Sequence, residues 1–392
     1  MAAVPRFSRR SRWVVPAGIV AAVAAVGIAS AITVAQAAPA LPPRTAAQLL
    51  AAVAGPGNVP PLTGTVVETA SLGIPQLPGS ANPNSITSLL AGSHTVKVWY
   101  DGPQRLRLAV PGTMSETDLI RNGTTAWLWQ SNSDSVTKIL LPKHRSGAPE
   151  PVMPRTPLTP QQAATQVLAA VGPSTRVTTE ANVTVAGQAA YQLVLAPRSS
   201  GSLIGKITIA LDAQHLTVPL RVQVFAKKAA TPAFQVGYTS ISFVTPAAGN
   251  FDFTPPAGAH VHTVGSNLPS GWSGYAPAPA QQGRYSGLRV IGKDWTSVAV
   301  LPAAALSEVA GQGNAAGVAG QAARSASGGG GQVSGAAVLG AMLGAAHPVH
   351  GAWGSGRLLH TSLVSMLITS NGHVLIGAVT PSVLYAAAAQ VK

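Results

Sequence analysis

The chain contains no cysteine. That removes disulfides, thiolate metal sites and cysteine nucleophiles at once, together with the lipid-bearing cysteine of a bacterial lipobox. Acids are scarce as well: 11 Asp and Glu stand against 25 Lys and Arg, giving a formal charge of +14. The excess comes from missing acids rather than from clustered bases, and beyond the N-terminal arginines only Lys227 and Lys228 are adjacent. A nucleic-acid ligand would want a basic stripe interleaved with aromatics, and none is visible. Weak attraction to an anionic envelope surface is the expected consequence. Charged residues make up only 9% of the chain, while 32 prolines and 41 glycines argue for strands and loops over long helices.

Catalytic signatures are missing too. There is no Gly-x-Ser-x-Gly, and Gly201-Ser-Leu-Ile-Gly-Lys206 is one residue short of a phosphate-binding loop and opens a strand rather than a helix. Asp101, Asp134 and Asp212 fall at turns or strand ends, where a carboxylate caps backbone amides, and no acid pair suggests proton transfer. His260-Val-His262 and His347-Pro-Val-His350 lie near no carboxylate on a helix, so they read as solvated loop histidines rather than metal ligands. The expectation is a non-enzymatic protein with no cofactor and no metal.

What is present begins with a targeting segment. Arg6, Arg9, Arg10 and Arg12 precede an uncharged apolar run of 22 residues (13–34), and Ala35-Gln36-Ala37 places small residues at the −3 and −1 positions. This has the shape of a signal peptide cleaved before Ala38. The competing reading is an uncleaved anchor, since such a run can span a bilayer. In both cases the arginines stay inside and the remainder is exported to the cell envelope or beyond.

From His94 to Leu141 strands follow one another with period-two alternation. Val96, Val98 and Tyr100 share one side of the first, opposed by Thr95 and Lys97; Leu106, Leu108 and Val110 share one side of the next, opposed by Arg105 and Arg107. Asn122-Gly123 marks a hairpin, and Trp127 and Trp129 lie on one face of the strand that follows. The reading is an antiparallel meander with one apolar and one wetter face. The apolar face is the candidate binding surface, comprising Val96, Val98, Tyr100, Leu106, Leu108, Val110, Trp127 and Trp129. Lid helices would bury such a face with or without a ligand, and the tryptophans suit core packing as well as the rim of a hollow.

Around the meander the spacing predicts a helix over 41–57 with Ala46, Leu49, Leu50 and Val53 on one face, and a strand over 62–69. A short apolar piece covers 86–90, and a second helix, 161–171, is capped by Thr159-Pro160. Four more strands follow, carrying Tyr191/Leu193/Leu195, Ile207/Ile209/Leu211, Leu220/Val222/Val224 and residues 234–244. Phe251-Asp-Phe-Thr-Pro-Pro-Ala-Gly258 closes this unit, because two prolines prevent continuation of the ladder. The expected division is a signal segment (1–37), a β-rich domain (38–262), a Gly/Pro-rich linker (263–287) and a small module (288–392). The module is read as a strand over 288–301, a low-complexity insert over 310–335, a hairpin of 358–369 and 374–379 about Asn371-Gly372, and a terminal helix over 382–389. A domain of roughly 225 residues buries about 70% of its unfolded surface and needs no staple.

The order of elements, Leu62-Thr-Gly-Thr-Val-Val67, the proline-flanked helix and the Phe-Asp-Phe-Thr-Pro-Pro-Ala-Gly close resemble the LolA/RseB-like superfamily, and more narrowly its exported actinobacterial members with an extra C-terminal module. The resemblance covers about residues 41–262. It implies a mainly β fold with an α lid: a half-open antiparallel β-barrel whose concave face, covered by helices, holds acyl chains of a lipid or lipoprotein. Within the same superfamily the alternative is a sensor of the RseB type, binding a membrane protein or anti-sigma partner.

Overall fold

The computed structural model describes residues 38–54, 59–73, 91–112, 114–141, 159–169, 171–264, 288–302 and 344–391. The signal or anchor segment, the 86–90 piece, the proline-rich stretch 142–158, most of the linker and the low-complexity insert lie outside them. No described helix is long and apolar enough to cross a membrane.

Helix α1, Ala46–Ala54, starts five residues later than the apolar spacing suggests. Pro43 forces Pro42 into extended backbone, and the N-cap is Thr45: its hydroxyl accepts from Gln48 N (3.2 Å) while Gln48 Oε1 accepts from Thr45 N (2.9 Å). Helix α2, Pro160–Ala169, repeats the device with Thr159 and Gln162.

The strands β1 Leu62–Ser71, β2 Ala91–Tyr100, β3 Arg105–Gly112, β4 Ser115–Asn122, β5 Thr125–Gln130 and β6 Ser135–Leu140 form the first meander. Its β4–β5 hairpin turns one residue later than expected: Asn122 pairs with Thr125, and Gly123 supplies the positive φ (61°). The strands β7 Thr175–Val185, β8 Gln188–Pro197, β9 Ile204–Asp212, β10 Pro219–Ala226 and β11 Phe234–Ser242 form the second. A last strand, β12 His260–Val264, pairs parallel with β6. All twelve make one open sheet, in the order β12-β6-β5-β4-β3-β2-β1-β11-β10-β9-β8-β7, antiparallel apart from that last pair. The two meanders meet where β1 pairs β11. There a bulge pairs Thr65 with Ser240 but Val66 with Tyr238, so Thr239 is left over and Ile241, Tyr238 and Val236 all stay on the core side.

Strand β12 corrects two expectations. The chain passes the prolines and resumes as a strand, so His260 and His262 belong to an exposed sheet edge rather than a loop. His347 and His350 likewise lie on a strand, His347–Gly351.

One core fills the inner face. Val96, Val98, Leu108 and Leu119 from the first meander join Tyr191, Leu193, Ile209, Leu220, Val222 and Val236 from the second, with Leu49 and Val53 of α1 and Ala163 and Ala164 of α2. On the outer face of the second meander the alternate residues form a polar ladder. Glu180 accepts from Gln192 Nε2 (2.9 Å) and Lys206 Nζ (2.6 Å), and Gln223 bonds Thr208 and Gln235. The lysine's hydrogen bond holds the Glu180 carboxyl below its usual range.

A second, six-stranded sheet follows: β13 Arg289–Ile291, β14 Val298–Pro302, β15 His347–Gly351, β16 Gly354–His360, β17 Ser365–Thr369 and β18 His373–Gly377, in the order β13-β14-β18-β17-β16-β15. Helix α3, Pro381–Ala388, packs on β17 and β18. Two segments expected as single strands are broken. Gly292 (φ 84°) and Asp294 (φ 52°) bend the first, and Thr361, whose hydroxyl accepts from Val364 N, turns the second.

This sheet grips the rim of the larger one at the β8–β9 turn. Leu203 N donates to Ala378 O (2.9 Å), Thr380 N donates to Gly201 O (2.8 Å), and the Trp295 indole N–H donates to Thr175 Oγ1 (2.8 Å) while its ring packs on the main core.

Candidate apolar binding face and the tryptophan face behind it

Cross-strand partners share a face of a sheet, so the register decides which candidate residues stand together. Val98 pairs with Leu108, Leu108 with Leu119 and Leu119 with Leu128, and this row continues into Gly64 and Ile241 on the other side. Val96, Val98, Leu108 and Val110 are buried on this inner face; Tyr100 and Leu106 are half-buried against the same cluster. The six aliphatic-face candidates therefore form one continuous surface. Helices α1 and α2 add their buried side chains to it while lying against β7, β8, β10 and β11. Two polar residues interrupt the surface: Glu68 and His94 are directly opposite each other and both are buried.

Trp127 and Trp129 do not belong to that surface. The Leu119–Leu128 pair commits Leu128 to the core, so period two turns the indoles on either side of it to the opposite face. Trp127 shares a row with Ile120, Arg107 and Trp99, and Trp129 shares one with Asp118, Ala109 and Lys97. Their bulk suggested a common apolar face; Ala126 and Leu128, the buried residues of β5, were the better guide.

The face behind is only partly wet. Ile120, Ala109 and Val136 are buried there, and the Phe251–Gly258 segment crosses it: Phe253 packs on Trp127 (centroids 5.6 Å apart), and Asn122 Nδ2 donates to Asp252 Oδ1 (3.2 Å). Cations lie over two of the indoles, Arg107 over Trp99 (5.2 Å) and Lys138 over Trp127 (5.1 Å). Arg107 also pairs with Asp118, a residue that is 3% exposed. Burial pushes the Asp118 carboxyl up to about 6, against the pull of Arg107 and with help from Glu116. Asp118 Oδ1 and Arg107 Nε have no hydrogen-bond partner among the described residues.

A hollow of about 260 Å³ opens beside this pair, lined by Thr63, Gly64, Thr65, Lys97, Val98, Trp99, Ser240, Ile241 and Ser242. By register, Thr63, Thr65, Lys97, Trp99, Ser240 and Ser242 belong to the tryptophan face.

Other titratable groups have local tasks. Asp212 Oδ1 accepts from Gln214 N and His215 N at its turn, as expected of an acid there, whereas Asp101 pairs with Arg105. His360 lies 2.9 Å from Ser365 Oγ, but that hydroxyl is buried and donates to Val379 O, which leaves it unsuited to nucleophilic attack. Among the described residues no three His, Asp or Glu side chains gather as a metal site would require.

No family model and no curated protein matches the chain. Among solved structures it is similar to MucB of Pseudomonas aeruginosa, seen in a complex with MucA (15% identity, 88% of this chain and 96% of that one, TM-score 0.40). It is also similar to an uncharacterised conserved protein of Thermus thermophilus (11%, 56% and 97%, TM-score 0.30) and to a LolA superfamily protein of Nitrosomonas europaea (8%, 54% and 99%, TM-score 0.20). At these values the likeness carries no functional argument.

Proposed function

We propose that the chain is an extracytoplasmic binding protein that holds the acyl chain of a lipid or lipoprotein against Val96, Val98, Tyr100, Leu106, Leu108 and Val110. The observation that carries this reading is the continuity of that face with a core to which two short capped helices contribute, on a sheet that stays open at both ends. Helix α1 reaches the shared core through Leu49 and Val53 while lying against β7 and β8, so lifting it opens that core from the side of the second meander without unravelling the sheet. Each methylene transferred contributes about 0.8 kcal/mol, and a 16-carbon chain on the order of 10 kcal/mol before ordering costs, enough to displace so short a helix.

Binding of a fluorescent fatty acid at micromolar concentration tests the reading. Val98→Glu and Leu106→Glu should abolish uptake, and Arg176→Ala, on an exposed outward position of β7, should spare it. Circular dichroism checks that the glutamates leave the fold intact. Folded wild-type protein that takes up no lipid would overturn the proposal.

One observation supports a second reading, a regulator that binds a protein partner: the inner face is closed, with Leu49, Val96 and Leu119 fully buried. Failure of lipid uptake by wild type would move the weight to it.

A further inference from the structure

The acyl reading leaves the hollow on the tryptophan face unused, and its lining has a chemistry of its own. Trp99 is an aromatic wall, held by the Arg107 guanidinium 5.2 Å from its ring centroid, and Arg107 is in turn fixed by Asp118. Around it stand the hydroxyls of Thr63, Thr65, Ser240 and Ser242 and the ammonium of Lys97. Among the described residues none of these five groups is hydrogen-bonded or ion-paired. They therefore present donors and acceptors to whatever enters.

Three ligand classes can be weighed against that set. An acyl chain would desolvate five polar groups and satisfy none of them. A bare anion would meet one exposed lysine, because the charge of Arg107 is committed to Asp118, and a single exposed ammonium holds an ion weakly. A sugar ring matches every element. Its C–H face packs on an indole, and its hydroxyls both donate and accept, as the Thr and Ser hydroxyls do. Lys97, the only charged group in the lining, adds a preference for an acidic substituent. The volume, about 260 Å³, falls below the roughly 300 Å³ at which drug-sized pockets begin, so it suits one ring rather than a chain.

We propose that the hollow between β1, β2 and β11 binds a single carboxylated pyranose ring of a glycan, stacked on Trp99, with its carboxylate at Lys97. The site is distinct from the acyl face, since Trp99, Lys97 and the four hydroxyl side chains belong by register to the other side of the sheet, although Val98 borders both.

Saturation-transfer NMR on the full chain with millimolar glucuronate, glucose and acetate separates ring from charge. Glucuronate should receive saturation and bind about tenfold more tightly than glucose, a difference of about 1.4 kcal/mol, and acetate should not bind. Lys97→Ala should reduce glucuronate to the level of glucose. Thr65→Val with Ser242→Ala, small changes on a half-buried and an exposed position, should weaken both sugars without unfolding the chain. The proposal is overturned by absence of transfer to glucuronate, by binding that survives both sets of variants, or by acetate that competes as well as glucuronate.

Discussion

The ring of Tyr238 lies against the backbone of Gly64, at the seam where the two meanders join. A methyl group placed on Gly64 would stand 2.7 Å from Tyr238 Cδ1 and Cε1 and 2.7 Å from the Ser240 carbonyl oxygen. The glycine is needed for close approach, and the bulge at Thr239 is what returns Tyr238 to the core side directly opposite Val66. Burial of the phenol raises its pKa and keeps it neutral at any physiological pH. Gly64→Ala should destabilise the chain by about 1–3 kcal/mol through overpacking. Gly172→Ala, where the added methyl meets nothing within 4 Å, should change stability by less than about 0.5 kcal/mol. Urea unfolding of the two variants makes the comparison.

Asp118 predicts a pH dependence of stability. Its carboxyl titrates near 3.8 in the unfolded chain and near 6 when buried in the fold. Between those values the folded state holds a proton that the unfolded state has released, so stability falls as pH rises through the window and is greatest below it. A shift of that size corresponds to roughly 3 kcal/mol. Asp118→Asn should flatten the slope of unfolding free energy against pH in that interval; an unchanged slope would show that another group sets it.

The period-two runs at Tyr191, Ile207 and Leu220 could be read from the chain because one face of each strand is apolar and the other is not, and local spacing carries that information. The β1–β11 seam could not, since residues 63 and 242 are brought together only by the assembled sheet. The strands of the second sheet were merged for a local reason: positive φ at Asp294, in a run with no Asn-Gly or Pro-Gly signal, leaves little trace in the alternation. At the candidate site the six aliphatic positions were legible. The Arg107–Asp118 pair was not, because the two residues are diagonal neighbours across a hairpin, where Arg107 faces Ile120 and Asp118 faces Ala109. Local spacing around either residue carries no mark of the pairing.

Trp295 should act as the main anchor of the second sheet on the rim of the first. Its half-buried indole packs on the main core and donates to Thr175 Oγ1, beside the backbone bonds at Gly201 and Leu203. Trp295→Ala should lower stability by about 1–3 kcal/mol, and Thr175→Val, which removes the acceptor and keeps the bulk, by about 1 kcal/mol. With a specific protease site placed within residues 266–287, cleaved wild-type fragments should co-elute in gel filtration while those of Trp295→Ala separate. Separation of the wild-type fragments would mean that the rim contacts are too weak to hold the two sheets together.

The capping boxes make lid opening measurable. Thr45 and Gln48 satisfy two amides at the start of α1, and Thr159 and Gln162 do the same for α2, so each box stabilises a helix too short to persist alone. Thr45→Ala removes one cap at a cost of about 1 kcal/mol without touching the apolar face. If lipid enters beneath α1, that loss raises the open fraction about fivefold. Uptake of a fluorescent fatty acid should then speed up by the same factor in stopped-flow measurements, while the dissociation constant falls. Thr159→Ala reports separately on α2, and the helix whose cap changes the rate is the one that moves. Equal rates in wild type and both variants would mean that neither helix gates the face.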